Sequence, residues 1–152
     1  MRFSVETLAT ADIGAWAELR AQLWPDHSVE ELYRDGLELL AGERDMVFVA
    51  KADDELIGFA EASLRVDHVN GTSTSPVTFL EGLYVASHCR RRGIARALCK
   101  AVAGWGARNG CTEFASDALV ENEEGRDVHT ALGFREVERV VYFLKPIDRD
   151  AT

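Results

Sequence analysis

The sequence predicts a mixed α/β fold in which helices flank one central sheet. Runs of alternating apolar residues indicate short strands, and apolar residues at helical spacing indicate amphipathic helices. The two patterns interleave along the chain in the order βααβββαβαβ, with no repeat, low-complexity block or linker between them. A chain of 152 residues is long enough for one domain with its own core. We therefore expect residues 1–152 to form a single domain.

Two helices are expected between the first and second strands. Ser4–Leu8 alternates as a strand does, and Ala11–Trp24 carries apolar residues on one helical side until Pro25 stops it. Ser28-Val29-Glu30-Glu31 has the form of a capping box, which predicts the start of a second helix there. That helix is expected to end at Gly42.

A hairpin and a central strand follow. The strands Met46–Ala50 and Leu56–Val66 are joined by a turn at Asp53-Asp54, and a polar loop then leads to the strand Val77–Val85. Gly82 weakens this strand unless it marks a bulge or a close backbone approach, so we expect one of those two features there.

The C-terminal half predicts two more helices and two more strands. Their expected ranges, in chain order, are helix Ile94–Arg108, strand Glu113–Asp117, helix Gly125–Leu132 and strand Val137–Leu144.

The turn between the central strand and the helix that follows it is suited to anion binding. Arg90-Arg91-Arg92-Gly93-Ile94-Ala95 is basic, contains glycine and leads directly into a long amphipathic helix. The first N–H groups of a helix lack internal partners and lie at its positive end, so they can bind phosphate. This predicts a site for a phosphorylated cofactor. The alternative from the turn alone is a strand–turn–helix with a solvated basic loop.

Composition and charge exclude some classes of function. The net charge of −9 argues against nucleic-acid binding and is compatible with a cationic substrate, although solubility alone also explains it. No apolar run reaches the length of a membrane span, and the N-terminus lacks the features of a secretory signal. The three cysteines lack metal-ligand spacing and are typical of reduced thiols. We expect a cytoplasmic protein with no membrane contact and no metal.

Several short motifs occur in the order found in one known family. The Arg-x-x-Gly-x-Ala turn and Leu132-Gly133-Phe134 resemble the Gcn5-related N-acetyltransferases, or GNAT superfamily. The resemblance narrows to the chromosomally encoded aminoglycoside 6'-N-acetyltransferases on further segments, which are Gln22–Pro25, Val69–Gly71, Ser75–Val77, Phe79–Gly82, Ala115–Asp117 and Val128–Phe134.

The resemblance implies a fold, a reaction and an assembly. The sheet would be mostly antiparallel, as in the GNAT fold. Acetyl-CoA would be the co-substrate, and its acetyl group would pass to the 6'-amino group of an aminoglycoside, conferring resistance. The relatives are dimers, so a homodimer is expected.

The resemblance also implies the site residues. The substrate contacts would be Trp24, Glu81, Asp117 and Glu138, together with His68 where close relatives carry a tyrosine. The acetyl-CoA contacts would be the backbone of Leu83 and Val85, the run Arg91, Arg92, Gly93, Ile94, Ala95 and Arg96, and Asn122. The superfamily's frequent catalytic tyrosine is replaced here by His129.

The chemistry of acetyl transfer fits these residue types. Buried ammonium groups need carboxylate partners, and the attacking amine must first lose a proton. Asp117 or Glu81 can accept that proton, and the sequence does not choose between them. A backbone N–H in Gly82–Val85 can stabilise the developing oxyanion. His129 is either an assisting acid or a packed helix residue.

Two other functions stay open at this point. One is acetylation of a different amine, such as a polyamine or a protein lysine. The other is a non-catalytic acyl-CoA sensor. The carboxylates themselves have a simpler alternative, because most strand carboxylates are only solvated.

Overall fold

The computed structural model describes residues 1–150, which contain a five-stranded sheet in the order β1-β2-β3-β4-β5. Neighbouring strands are antiparallel except for the parallel pair β4 and β5. The predicted mixed, mostly antiparallel sheet is therefore confirmed. The strands are β1 (Ser4–Thr7), β2 (Asp45–Ala52), β3 (Glu55–Arg65), β4 (Val77–Val85) and β5 (Phe114–Ser116).

Four α-helices flank the sheet. They are α1 (Ile13–Leu23), α2 (Val29–Ala41), α3 (Ile94–Arg108) and α4 (Glu123–Ala131), and single 3-10 turns occupy Thr10–Asp12 and Ser87–Cys89. The predicted cap of α2 is confirmed, because the Ser28 hydroxyl accepts a 3.1 Å hydrogen bond from the Glu31 N–H. None of the helices within residues 1–150 is both long enough and apolar enough to cross a membrane.

The two faces of the sheet carry separate apolar clusters. On one face α3 packs through Ile94 and Leu98 against strand residues such as Ile57 and Leu80. On the other face α1 packs through Trp16 and Leu19 against Val47, Val49, Leu56 and Phe59. Strand side chains alternate between the two faces of the sheet. Glu61, Ser63 and Arg65 therefore lie on the same face as Phe59, farther along β3 than the cluster that packs against α1.

A bulge interrupts the pairing of β3 with β4. Ala62 pairs with Leu80 and Glu61 pairs with Gly82, so Glu81 is the extra residue on β4. The sequence predicted a bulge or a close backbone approach at Gly82, and the structure has the bulge, at the neighbouring Glu81. The bulge places the Glu81 carboxylate at the point where the strand bends.

The predicted final strand, Val137–Leu144, is wrong. Residues 134–148 have no regular secondary structure, and Phe143 and Leu144 are 93% and 94% exposed. The apolar pattern of a strand only shows which residues could pair. A strand also requires a hydrogen-bonded neighbour, and this segment pairs with no strand edge within the described residues.

Candidate functional site

The site begins at the β4 bulge, where the Glu81 carboxylate is held from β3. Arg65 donates two hydrogen bonds to it, from Nη2 to Oε1 at 2.7 Å and from Nε to Oε2 at 3.0 Å. The Ser63 hydroxyl also donates to Oε2. The Arg65 guanidinium lies 3.5 Å from the centre of the Phe79 ring and makes a cation–π contact with it.

Further polar groups act on this ion pair. Glu81 is the main cause of a raised pKa at Arg65, and Asp117 and Tyr142 raise it further. Burial raises the pKa of Asp45 at the start of β2, and the charge of Glu81 adds to that effect. Glu81 and Asp117 therefore act electrostatically on one arginine, and Asp45 lies within electrostatic range of Glu81.

Trp24 forms a wall beside the same bulge. It follows the last residue of α1, and its ring centre lies 6.3 Å from that of Phe59. A Cβ atom added at Gly82 would lie 2.8 Å from the indole Cη2. Glycine at this position therefore permits the indole to contact the strand next to Glu81.

The remaining predicted substrate residues lie at different places relative to the bulge. Asp117 is exposed and follows the last residue of β5, within electrostatic range of Arg65. His68 is exposed in the loop between β3 and β4. Glu138 lies in the irregular C-terminal segment, where the preceding residue, Val137, packs against Gly71 of the His68 loop. The structure brings Glu81 and Trp24 together at the bulge and places Asp117 within electrostatic range of Arg65, whereas His68 and Glu138 lie in two other segments that meet at Gly71 and Val137.

The basic turn before α3 leaves the start of the helix open. Gly93 is the N-cap in the left-handed conformation, with φ of 80°, and no side chain caps the helix. Arg91 also has a positive φ, of 64°. A Cβ atom added at Gly93 would meet no atom within 4 Å. The N–H groups of the first turn, Ile94 to Arg96, are therefore free to bind an anion.

Three polar side chains near this turn are engaged within the protein. The Arg90 Nε donates to the Val85 carbonyl at 2.9 Å, and the Arg96 Nη2 donates to the Ala131 carbonyl at 2.9 Å. The Asn122 side chain caps α4 by accepting from the Gly125 N–H at 3.0 Å. The acetyl-CoA contacts predicted at Arg96 and Asn122 would therefore come from backbone groups or from side chains that give up these partners.

The edge of β4 next to β5 is open along its second half. β5 pairs with β4 only from Thr78 to Leu80 and ends at Ser116. The backbone groups of Glu81–Val85 that point to this side have no strand partner among the described residues, while Leu83 and Val85 pair with β3 on the other side. Unpaired strand backbone can receive an extended amide-containing ligand.

His129 joins α4 to β5. Its Nδ1 lies 2.6 Å from the Gly125 carbonyl and its Nε2 lies 2.7 Å from the Ser116 hydroxyl. Its ring also contacts Phe134, with centres 5.3 Å apart. Because protein groups occupy both ring nitrogens, the geometry favours the packed helix residue over the assisting acid.

Sequence reasoning missed Ser63, Arg65 and Asp45. A signal for the first two was present, because Glu61, Ser63 and Arg65 alternate along β3 and must share one face. A strand with three consecutive polar residues on one face is unlike a plain core strand. No sequence pattern indicated Asp45, because its proximity to Glu81 depends on the register of β2 with β3.

The chain is similar to acetyltransferases over most of its length. Residues 13–134 match the family model described as "Acetyltransferase (GNAT) family". Aminoglycoside N(6')-acetyltransferase type 1 of Salmonella typhimurium strain LT2 is 48% identical over 130 residues, covering 86% of this chain and 90% of that protein. The protein of the same name from Stenotrophomonas maltophilia is 46% identical over 151 residues, covering 97% and 96%.

Solved structures agree with the sequence relatives. AAC(6')-Iy in complex with the bisubstrate analogue CoA-S-monomethyl-acetylneamine has a TM-score of 0.90 and 43% identity, covering 97% of this chain and 100% of that chain. Aminoglycoside 6'-N-acetyltransferase AAC(6')-Ih from Acinetobacter baumannii has a TM-score of 0.90 and 41% identity, with the same coverage.

Proposed function

This chain belongs to the acetyltransferase (GNAT) family, and we propose that it transfers the acetyl group of acetyl-CoA to the 6'-amino group of aminoglycosides. The observation that carries the proposal is its 46% identity, over nearly the whole of both chains, to an aminoglycoside N(6')-acetyltransferase. The carboxylates on the α1 face support the same substrate class, because an aminoglycoside carries several ammonium groups that require anionic partners.

Acetyl-CoA would bind between α3 and the open edge of β4. The unpaired N–H groups of Ile94, Ala95 and Arg96 would hold the pyrophosphate, with Arg91 and Arg92 supplying positive charge. The open edge at Leu83 and Val85 would pair with the amides of the pantetheine arm. These two features lie on consecutive segments of the chain, so one extended ligand can contact both.

The aminoglycoside would bind on the α1 face, around the β4 bulge. Trp24 would supply a flat wall for a sugar ring, and Glu81, Asp117 and Glu138 would supply negative charge, with His68 at the border. Arg65 already occupies both oxygens of Glu81. An incoming ammonium group must therefore share or displace this arginine.

We infer that Asp117 is the better candidate for the base. Acetyl transfer needs a carboxylate oxygen with an accessible lone pair, so that the substrate ammonium can lose a proton directly or through a water molecule. Asp117 is exposed at the end of β5, whereas the Glu81 oxygens accept three donors. The neutral amine then attacks the thioester carbon, the amide C–N bond forms and the C–S bond breaks. The CoA thiolate leaves and takes up the extra proton that the attacking nitrogen must lose to become the amide. A backbone N–H in Gly82–Val85 would stabilise the oxyanion of this step.

We also propose that two copies of the chain form a homodimer. Apolar side chains of the C-terminal segment, such as Phe143 and Leu144, are exposed, and β5 ends the sheet with its outer edge free of other strands among residues 1–150. A second copy would cover this apolar surface. Light scattering should give twice the monomer mass, and Phe143→Ser with Leu144→Ser should reduce it to one copy. A monomeric parent protein at assay concentration would contradict the dimer.

We also propose that the chain forms one domain and that it works in the cytoplasm. The five strands lie in one sheet, which supports one acetyltransferase domain over residues 1–152. Cys89, Cys99 and Cys111 are free thiols, which supports work in the reducing cytoplasm.

The function is tested by release of CoA thiol in the presence of different amines. Kanamycin or tobramycin should be acetylated, a 6'-hydroxyl analogue should react poorly, and a polyamine and a lysine peptide serve as competing substrate classes. Mass spectrometry and NMR of the product should place the acetyl group on the 6'-nitrogen. Equal turnover of the polyamine, acetylation at another nitrogen, or acetyl-CoA binding with no turnover of any amine would each contradict the proposal.

A further inference from the structure

A buried ion pair between Arg20 and Glu61 lies next to the β4 bulge. Arg20 in α1 donates to both oxygens of Glu61 in β3, from Nε and from Nη2, each at 2.9 Å. Arg20 is 6% exposed and Glu61 is 1% exposed. The remaining nitrogen, Nη1, donates to the Leu32 carbonyl of α2 at 2.8 Å. One guanidinium group therefore connects α1, α2 and the central sheet.

Stability alone is a weak reason for this pair. Burial raises the pKa of Glu61, and the bonds from Arg20 oppose that effect. Removing two charges from water is expensive, and well-packed apolar residues of similar volume are often as stabilising as a buried pair. The pair is better explained by the geometry that it imposes on its neighbours.

The guanidinium is in contact with two tryptophan rings. Its Cζ lies 4.9 Å from the ring centre of Trp16 and 5.1 Å from that of Trp24. Guanidinium groups stack well on indole faces. Because Glu61 holds the guanidinium at Nε and Nη2, the group presents a fixed face to the Trp24 indole.

The same contacts lead back to the bulge. Glu61 pairs across the sheet with Gly82, and the Trp24 indole contacts Gly82 from the α1 side. Gly82 is the neighbour of Glu81. A continuous set of contacts therefore runs from Glu61 through Arg20 and Trp24 to the residue beside the Glu81 carboxylate.

We propose that Arg20 and Glu61 are positioning residues for aminoglycoside binding, which hold Trp24 against the β4 bulge. The indole then forms one wall of the proposed substrate cleft, which we define as the surface between Trp24, Glu81 and Asp117. Arg20 and Glu61 act through Trp24 and do not touch the substrate. This inference rests on the proposed function, because it concerns the same cleft.

The main test replaces the pair with apolar residues of similar size. The Arg20→Met/Glu61→Leu variant should melt at the temperature of the parent protein or above it. Its KM for tobramycin should rise about tenfold or more, while kcat and the Kd for CoA stay within about twofold of the parent values. A purely structural role would lower the melting temperature without this selective change in KM. The partly buried pair Lys51–Asp12 gives a matched control away from the bulge, in which Lys51→Met/Asp12→Asn should leave all three constants unchanged.

A second variant tests the proposal if the first variant does not fold. Arg20→Lys keeps the charge but loses the planar two-point fork and the stacking on the indoles, so it should fold and still raise the tobramycin KM by about fivefold. A KM within about twofold of the parent value in either folded variant would overturn the proposal. Absence of tobramycin turnover by the parent protein would contradict the proposed function instead.

Discussion

Arg65 binds both carboxylate oxygens of Glu81 from the neighbouring strand, across the bulge that exposes Glu81 to the cleft. Under the proposed function, the arginine thus occupies the place that a substrate ammonium group would take. The pair is partly exposed, so water screens it and its net stabilisation is small. A multiply charged substrate can therefore compete with Arg65 for Glu81 at modest expense in free energy.

Glu81→Gln tests this competition. Glutamine keeps the shape and one acceptor oxygen but removes the negative charge, so the cleft then presents Arg65 without its partner. We expect the KM for tobramycin to rise about tenfold or more, the scale of losing one charged contact. Steady-state kinetics would measure this change, and calorimetry should find the same affinity for CoA.

The matched control is Glu6→Gln, which removes an exposed carboxylate that pairs with Lys51 at the edge strand β1, away from the β4 bulge. It should have no effect on either ligand. Equal KM values for Glu81→Gln and the parent protein would show that the ammonium groups bind elsewhere.

Gly82→Ala should impair substrate binding without disturbing the cofactor site. The new Cβ would lie 2.8 Å from the Trp24 Cη2, so the indole must move away from the bulge. We expect the tobramycin KM to rise about fivefold or more with little change in CoA affinity. Gly104→Ala is the control, since its Cβ would meet only the end of the Arg108 side chain at 3.4 Å. It should retain parent kinetics and gain about 0.5 kcal/mol of stability.

Arg92→Glu should weaken acetyl-CoA binding far more than aminoglycoside binding. The substitution places a negative charge next to the uncapped start of α3, where it would repel a pyrophosphate. Calorimetric titration should show a loss of CoA affinity of about tenfold or more. Arg108→Glu, at the opposite end of the same helix, makes the same change of charge and should leave CoA affinity unaltered. Unchanged CoA affinity in folded Arg92→Glu would exclude this turn as the anion site.

The stability of the protein should fall between pH 9 and pH 11 because of Cys99. Burial raises the pKa of this thiol from 9.0 to about 11 in the folded state. The unfolded chain releases the proton first, so the stability that the protonated thiol contributes is complete below pH 9 and declines as the pH rises towards 11. Urea unfolding at pH 8 and pH 10 should show that the parent protein loses about 1 kcal/mol more than Cys99→Ala. Identical losses in the two proteins would contradict the raised pKa.

Local patterns in the sequence predicted most of the fold. The Ser28 cap, the stop at Pro25, the Asp53-Asp54 turn and the glycine in β4 are short-range features, and each determines the chain direction within a few residues. The strand predicted at Val137–Leu144 failed because pairing with a neighbour is a long-range property that an apolar pattern does not contain.

In the candidate site, too, short-range features could be predicted from the sequence and long-range contacts could not. Glu81 and Asp117 were identified from motifs within single segments, whereas their proximity to Arg65 depends on the register of three strands. The Arg20–Glu61 pair joins residues 41 positions apart, and each residue alone is typical of a solvated helix or strand position. Alternation along β3 placed Glu61, Ser63 and Arg65 on one face, but it contained no information about their partners.

Asp117→Asn separates the two roles that a cleft carboxylate can have. Asparagine keeps the size of the side chain and removes both its charge and its basicity. If Asp117 accepts the proton of the substrate ammonium, kcat/KM should fall by about two or more powers of ten, with most of the loss in kcat. The rise of kcat with pH that reports deprotonation by the enzyme should also disappear, whereas Glu81→Gln should retain it.

Asp54→Asn, in the exposed turn between β2 and β3, is the matched control and should behave as the parent protein does. Full activity of Asp117→Asn, or a loss confined to KM with an unchanged pH profile, would show that Asp117 is at most a binding residue and would return the role of base to Glu81 or to water.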